Sequence, residues 1–204
     1  MDLTADQNHS CDKKSARAAV RTWRRNLDTD KREQLGQELA QTVIGYLSQS
    51  TGVVQKVAAY CSAPDEPSTE PLLAALISEG IEVYLPVCEP GYALSWVEYS
   101  PGMEFQPSSM APVMEPVGEK AGTELFEQIN TLIMPALSID SNGLRLGQGG
   151  GYYDRFLPLI ADAPVRVAAV VYEHEFVAAG TFDVDAHDQP VDLVFTPQQV
   201  HQII

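Results

Sequence analysis

The sequence predicts an α/β fold, a single domain with a mostly parallel sheet flanked by helices. Its 204 residues, 45% of them hydrophobic, are enough for one well-buried domain and short for two. Short apolar segments of strand type alternate with helical segments along the chain. A strand, a helix and a strand follow one another over residues 56–85, which predicts a βαβ unit with parallel pairing and a right-handed crossover. Ligands of such folds bind beyond the carboxyl ends of the strands.

The chain is expected to consist of a polar lead and one folded unit. Residues 1–12 are predicted to be disordered, and residues 13–204 are predicted to form the single domain. The predicted helices span residues 12–26, 30–48, 70–79 and 153–160, with a short last helix after Thr196 and Pro197. The predicted strands span residues 56–60, 81–85, 93–99, 131–136, 165–172 and 191–195.

Local patterns refine these elements. The second helix carries Leu35, Leu39, Val43 and Leu47 at four-residue spacing, which predicts an apolar stripe packed on a core. Thr69 is the predicted N-cap of the third helix. Residues 100–122 contain four prolines and little periodicity, and they are interpreted as an ordered surface loop. The two tryptophans, Trp23 and Trp96, are expected in the core.

The most informative segment is residues 145–155, which read Arg-Leu-Gly-Gln-Gly-Gly-Gly-Tyr-Tyr-Asp-Arg. Its four glycines can adopt positive φ and bring backbone N–H groups close to an anion. Arg145 and Arg155 frame the glycines with cations whose forked donors suit phosphate oxygens. A flexible linker does not usually end in Tyr-Tyr-Asp-Arg. A Walker A loop is excluded because no Gly-Lys-Ser/Thr follows the glycines. The segment therefore predicts a phosphate-binding loop.

The distribution of charge points to a small anionic ligand. The formal net charge of −15 argues against a nucleic-acid or anionic-membrane partner. Eight of the thirteen basic residues nevertheless lie within residues 13–32, and two more frame the glycines. We expect these two basic segments to meet around a polyanion. The alternative is a solvated basic face on an N-terminal helix.

Cysteine spacing and hydropathy suggest a cytoplasmic protein. The three cysteines, Cys11, Cys61 and Cys88, are an odd count without metal-type spacing, so neither a disulfide framework nor a zinc site is indicated. The N-terminus is polar and acidic, unlike a signal peptide, and no apolar run approaches 18 residues.

The chain resembles the 5-formyltetrahydrofolate cyclo-ligase family. Residues 145–154 match its hallmark Arg-Leu-Gly-x-Gly-x-Gly-Tyr-Tyr-Asp throughout, and the resemblance runs collinearly over residues 13–197. Weaker matches are Lys13, Arg17, Tyr60, Ser62, Glu66, Thr69, Glu115, Pro116, His187, Asp188 and residues 192–196. The departures are Gln148, where the family usually has Tyr, Arg or Lys, and Glu175 and Asp183, where it commonly has Gln and Pro.

The resemblance implies an architecture like that of sugar-phosphate isomerases and CoA-transferases. It also implies ATP- and Mg²⁺-dependent conversion of 5-formyltetrahydrofolate to 5,10-methenyltetrahydrofolate, with release of ADP and phosphate. The formyl oxygen would be phosphorylated by ATP, and N10 would then close the ring. The implied partners are a reduced folate and ATP, and the chain is expected to be a monomer or weak dimer.

The resemblance also assigns roles to individual residues. ATP would be bound by Lys13, Arg17, Arg145, Leu146, Gly147, Gln148, Gly149, Gly150, Gly151, Tyr152 and Tyr153, of which Arg145 and Tyr152 would be catalytic. The folate would be bound by Cys61 and Glu66, and Mg²⁺ by Asp154 and Asp188. Structural roles are the alternatives: solvated charges for Lys13 and Arg17, core packing for one tyrosine and for Cys61, and helix capping for Asp154.

Two other function classes stay open at this point. One is a sugar isomerase or CoA-transferase relative without an ATP requirement, against which the Lys13 and Arg17 pair argues. The other is a non-catalytic folate- or nucleotide-binding paralogue, which the Gln148 and Glu175 departures make conceivable.

Overall fold

The computed structural model describes residues 11–49, 55–185 and 188–203. Most of the predicted disordered lead, as well as His187, lies outside these residues. The last two residues of the lead take part in the fold. Cys11 forms a β-bridge with Phe182. The Asp12 carboxylate accepts hydrogen bonds from the backbone N–H groups of Lys14 and Ser15 and so caps the first helix.

Four α-helices and thirteen strands are present in the described part of the chain. The helices are α1 Lys13–Arg25, α2 Thr29–Gln49, α3 Glu70–Ser78 and α4 Tyr152–Phe156. The strands are β1 Lys56–Ala58, β2 Glu82–Glu89, β3 Ala93–Glu98, β4 Phe105–Pro107, β5 Met114–Pro116, β6 Lys120–Ala121, β7 Thr131–Pro135, β8 Ser138–Asp140, β9 Arg145–Leu146, β10 Arg166–Val170, β11 Phe176–Val177, β12 Leu193–Phe195 and β13 Val200–Gln202. Single turns of 3₁₀-helix cover Pro90–Tyr92, Thr123–Glu127, Leu157–Ile160 and Glu173–Glu175.

The central sheet confirms the predicted α/β class. Its eight described strands run in the order β13, β12, β10, β7, β1, β2, β3, β6, and the five strands from β12 to β2 are mutually parallel. The predicted βαβ unit is β1, α3 and β2, with parallel pairing of Val57 and Val83. Antiparallel strands close the sheet at both edges, where they need only short connections.

Each face of the sheet has its own core. The predicted stripe of α2 packs on one face together with α3, and Leu39 and Val43 are completely buried. Burial of such side chains contributes about 1.5–3 kcal/mol each. On the other face Trp96, Phe126 and Phe156 form a cluster with ring centroids 4.9–5.4 Å apart. The sheet is therefore covered on both sides, as parallel strands require.

Three local predictions were wrong. Residues 100–122 are not a plain loop, because β4 and β5 form a two-stranded ribbon whose prolines lie at strand ends, where no ladder hydrogen bond is lost. No helix follows Thr196; its hydroxyl accepts from the N–H groups of Gln198 and Gln199 and turns the chain into β13. Trp23 is 39% exposed rather than in the core, whereas Thr69 occupies the predicted N-cap position of α3 without a capping hydrogen bond from its side chain.

The side chains of Thr69 and Trp23 have other partners. The Thr69 hydroxyl donates to the Tyr60 carbonyl at 2.7 Å and accepts from the Ser62 N–H, so it holds the loop after β1. The Trp23 ring packs on His174, with centroids 3.9 Å apart. No helix within the described residues is both long and apolar enough to span a bilayer.

Candidate active site

The glycine loop, residues 147–151, lies between β9 and α4. The chain does not pass directly from β7 into this loop, as the sequence suggested, but first forms the β8–β9 hairpin. The Asp140 carboxylate holds the hairpin turn by accepting from the N–H groups of Asn142 and Leu144, both at 2.9 Å. The hairpin brings Arg145 to the mouth of the loop.

Two of the four glycines have backbone conformations that disfavour side chains. Gly149 has φ +98° and Gly151 has φ +75°, whereas Gly147 and Gly150 lie outside the left-handed region. Gly151, which is in the left-handed conformation, is also the N-cap residue of α4. The loop thus alternates left-handed and ordinary conformations, the pattern in which successive N–H groups form a concave anion-binding surface.

The basic helix α1 contacts the glycine loop. The Arg17 Nε donates to the Gly147 carbonyl at 2.8 Å, and the Arg21 Nη2 donates to the Gln148 carbonyl at 2.8 Å. Arg21 also bonds the Gln148 side-chain oxygen at 3.0 Å. The two basic segments, more than 120 residues apart in sequence, therefore meet in the fold as expected.

Lys13 lies one turn earlier and has different partners. Its Nζ is 2.6 Å from Asp185 and 2.9 Å from Asp188. Burial opposes the charge on Lys13, but the hydrogen bonds to the two aspartates outweigh burial and raise the pKa of Lys13. The fold thus places the predicted ATP ligand Lys13 beside the predicted metal ligand Asp188.

The other predicted metal ligand, Asp154, is ion-paired with Arg145. The Arg145 side chain is 8% exposed and that of Asp154 is 50% exposed, so the pair lies at a border between interior and solvent. The Arg145 guanidinium also lies over the Tyr153 ring, 5.6 Å from its centroid. These contacts fix the guanidinium while leaving part of the carboxylate accessible.

A cavity of about 540 Å³ adjoins the loop, of a size suited to a small ligand. It lies at the carboxyl ends of β1 and β7, beside β2, in agreement with the expected position. Predicted site residues that line it are Cys61, Glu66, Arg145, Gly147, Gln148, Gly149, Gly150, Gly151, Tyr152, Tyr153 and Asp154. Lys13, Arg17, Leu146 and Asp188 do not line it.

Glu66 is a buried carboxylate in the wall of this cavity, 7% exposed. Its oxygens accept hydrogen bonds from the Ala63 N–H at 2.9 Å and from the Gln148 side-chain amide at 3.1 Å. Burial raises the pKa of Glu66 in spite of these bonds. Gln148, a departure from the family pattern, therefore links the glycine loop and α1 to this carboxylate.

Two thiols also line the cavity. Burial raises the pKa of Cys61 to about 11, and burial together with Glu115 raises the pKa of Cys88 to about 11. Both thiols are protonated at neutral pH and act as small apolar groups. Cys61 thus lines the cavity as predicted, without nucleophilic character.

Sequence reasoning missed part of the cavity wall. Arg24 was counted only as a member of a basic helix, although Arg17, Arg21 and Arg24 at positions i, i+4 and i+7 share one helix face. The flap, residues 105–117, supplies Ala111, Pro112, Val113, Met114 and Pro116 to the cavity. Apolar residues between closely spaced prolines were the available signal for this wall.

Fold and site together define an α/β protein with a small-molecule cavity at the carboxyl edge of its parallel strands, bordered by a glycine-rich loop. A sequence profile of the 5-formyltetrahydrofolate cyclo-ligase family matches residues 9–197. The chain belongs to this family, and the prediction that it is an enzyme of the family is confirmed.

Individual relatives agree with this assignment. The Escherichia coli K12 5-formyltetrahydrofolate cyclo-ligase is 30% identical over 183 residues, which cover 89% of this chain and 98% of the relative. The Mycolicibacterium smegmatis 5-formyltetrahydrofolate cyclo-ligase is 32% identical over 165 residues, covering 78% and 82%. The Aquifex aeolicus 5,10-methenyltetrahydrofolate synthetase structure superposes with a TM-score of 0.71 at 29% identity, covering 94% and 92%.

Proposed function

We propose that the chain catalyses the ATP- and Mg²⁺-dependent conversion of 5-formyltetrahydrofolate to 5,10-methenyltetrahydrofolate, with release of ADP and phosphate. Family membership supports the folate chemistry. The observation that carries the nucleotide part is the contact of α1 with the glycine loop, which concentrates arginines at one side of a cavity in a protein of net charge −15.

The proposed reaction needs an activating phosphate because a formyl oxygen is a poor leaving group. The formyl oxygen attacks the γ-phosphorus, and the bond to the ADP oxygen breaks. N10 then adds to the formyl carbon and loses its proton, and the carbon–oxygen bond breaks to release phosphate. The protein contributes position and charge neutralisation to these steps.

The triphosphate is proposed to lie against the glycine loop, on the side of the loop that lines the cavity. Arg17 and Arg21 border the loop from α1, and Arg145 borders it from β9. Arg145, held by Asp154 and Tyr153, is the proposed stabiliser of charge on the transferred phosphoryl group. Tyr152 lines the cavity at the start of α4 and is proposed to position the folate against that group.

The reduced pterin ring is proposed to occupy the cavity beside Glu66. Its amino and ring N–H groups are donors, and a buried carboxylate with raised pKa is a strong acceptor for them. The apolar walls supplied by Cys61 and the flap suit the flat ring.

Two carboxylates are proposed to take part in binding a nucleotide-bound Mg²⁺, which would neutralise phosphate charge. The described residues contain no group of three or more acidic, histidine or cysteine side chains that could hold a metal by itself. Mg²⁺ on nucleotides is commonly held by one or two carboxylates, with phosphate oxygens and water completing the shell. Asp154, half exposed at the cavity, and Asp188, beside Lys13, are the proposed carboxylates.

Absorbance of the methenyl product tests the proposal. The purified protein is mixed with 5-formyltetrahydrofolate, with and without ATP and with and without a chelator of Mg²⁺. We expect the methenyl absorbance to increase only when ATP and Mg²⁺ are both present. Binding of folate or ATP without product would instead identify a non-catalytic paralogue, and product formed without ATP would contradict the phosphorylation step.

A further inference from the structure

Arg24 is a completely buried arginine at the end of α1 that lines the cavity. Two of its nitrogens are occupied by one carboxylate. Nε and Nη2 each donate to an oxygen of Glu175 at 2.7 Å, and Nη2 also donates to the Ala136 carbonyl at 2.7 Å. Glu175 is itself fixed, because it accepts from the Tyr172 N–H at 2.8 Å. The guanidinium is therefore held rigidly in one orientation.

The third nitrogen of Arg24, Nη1, is buried and has no hydrogen-bond partner among the described residues. The hydroxyls of Tyr60 and Tyr153, which line the same cavity, are likewise buried without a partner there. Burial raises the pKa of both tyrosines, so they keep their protons and can donate. Buried donors are rarely left unpaired in native proteins, because their desolvation is then uncompensated. Such a set of donors indicates an oxygen acceptor on the ligand.

The position of Glu66 suggests which oxygen this is. Arg24 and Glu66 both line the cavity, and the charge of Arg24 partly offsets the burial that raises the pKa of Glu66. One edge of a reduced pterin carries an amino group and a ring N–H, followed by the 4-oxo oxygen. A carboxylate acceptor next to a guanidinium donor is complementary to that order of donors and acceptor.

On the basis of the function proposed above, we propose that Arg24 Nη1 donates to the 4-oxo oxygen of the reduced folate, so that Arg24, held by Glu175, determines specificity for 4-oxo over 4-amino pteridines. A 4-amino compound presents a donor in place of the oxygen and leaves Nη1 unpaired. A site built to bond a polar group discriminates strongly against an analogue that lacks it.

The test uses a variant that removes the buried pair without leaving a lone charge, Arg24→Gln with Glu175→Gln. Its matched control is Arg25→Gln, at an exposed arginine next to Arg24 that does not line the cavity. Affinities are measured for 5-formyltetrahydrofolate, 5-methyltetrahydrofolate and a 4-amino tetrahydrofolate analogue, with ATP affinity as a check of the glycine loop. We expect the double variant to bind both 4-oxo folates about tenfold or more weakly and the 4-amino analogue unchanged. The control should retain the preference for 4-oxo.

Two results would overturn the inference. One is equal binding of 4-oxo folates by the double variant and the unaltered protein. The other is weaker binding of the formyl compound alone, which would assign Arg24 to the formyl oxygen. If the unaltered protein binds no reduced folate at all, the proposed function fails as well, and the two failures are thereby distinguished.

A measurement on the unaltered protein covers the case in which the double variant does not fold. The side-chain N–H resonances of Arg24 should shift on addition of 5-methyltetrahydrofolate and stay in place with the 4-amino analogue. Unshifted resonances with saturating 4-oxo folate would refute the contact.

Discussion

Glu66 is a proposed folate-binding residue whose burial lowers the stability of the ligand-free folded state. The carboxylate lies in a largely apolar wall, and two hydrogen bonds only partly offset the cost of burying its charge. Sequence resemblance could point to this residue, but only the fold shows that its environment disfavours the ionised form.

Glu66→Gln should stabilise the ligand-free protein at neutral pH while weakening folate binding. An acid whose pKa is raised on folding binds more protons in the folded state, so the free energy of unfolding falls as pH rises from the ordinary value of 4.5 through the raised value. The glutamine variant lacks this dependence. Its stability advantage, measured by urea denaturation, should therefore be larger at pH 7.5 than at pH 5, and its folate affinity lower by about 1.5–3 kcal/mol.

The exposed carboxylate Glu70, on α3, provides the control. Glu70→Gln should leave the folate affinity unchanged. Unchanged folate affinity in the Glu66 variant would remove this residue from the proposed pterin site.

Asp154→Asn should leave the fold intact and strongly reduce turnover, because a neutral amide is a poor Mg²⁺ ligand beside a triphosphate. The apparent Mg²⁺ requirement, measured by the absorbance assay, should rise. Asp162→Asn, an exposed aspartate after α4, is the matched control. Near-normal activity with the same Mg²⁺ requirement would exclude Asp154 as a metal ligand.

Gly149→Ala should cost more stability than Gly147→Ala. Gly149 has φ +98°, which an alanine adopts only at a cost of about 1–2 kcal/mol, whereas a Cβ at Gly147 meets its nearest atom, of Arg145, at 3.4 Å, an ordinary contact distance. The difference is measured by thermal unfolding, and ATP affinity should follow the same order. Equal effects would show that the loop conformation differs from the one described.

At the scale of elements, α1 and the glycine loop form one unit. Arg17 and Arg21 donate hydrogen bonds to loop carbonyls, so the helix and the loop stabilise each other in the absence of ligand. The sequence predicted this helix to within one residue at each end. The β4–β5 ribbon was missed because its strands are short and contain prolines, which disfavour a strand assignment.

ATP should protect both elements together from hydrogen exchange, because a ligand that bridges two segments suppresses the opening of both.

Lys13→Ala should raise the ATP requirement without changing folate affinity in the absence of ATP. Lys14 is the exposed neighbour of Lys13, and Lys14→Ala should leave the ATP requirement unchanged.

Protection of the glycine loop alone, with Lys13→Ala behaving as the unaltered protein, would assign Lys13 to its ion pair with Asp185 and Asp188. Its role would then be structural.

At the scale of the whole molecule, the buried Arg24 and Glu175 pair connects distant parts of the chain. Arg24 lies in the last turn of α1, Glu175 follows β10, and the Ser138 hydroxyl of β8 donates to the Glu175 carbonyl at 2.6 Å. Removing one partner leaves an uncompensated buried charge, whereas removing both does not.

Glu175→Ala should therefore lower the free energy of unfolding by about 3–5 kcal/mol. The double variant Arg24→Gln with Glu175→Gln should lose less. Chemical denaturation of both proteins measures the difference. A double variant that is less stable than Glu175→Ala would mean that the pair contributes more than it costs to bury.

The sequence by itself determined the α/β class, the main helices, the parallel strands and the glycine loop, because these follow from local periodicity, backbone freedom and a contiguous motif. Only the tertiary structure decided that Lys13 pairs with Asp188, that Gln148 links Arg21 to Glu66 and that Arg24 reaches the cavity. These contacts join residues 82–175 positions apart, and the side chains carry no local pattern that identifies their partners. Their geometry arises only when the sheet and α1 pack around one cavity.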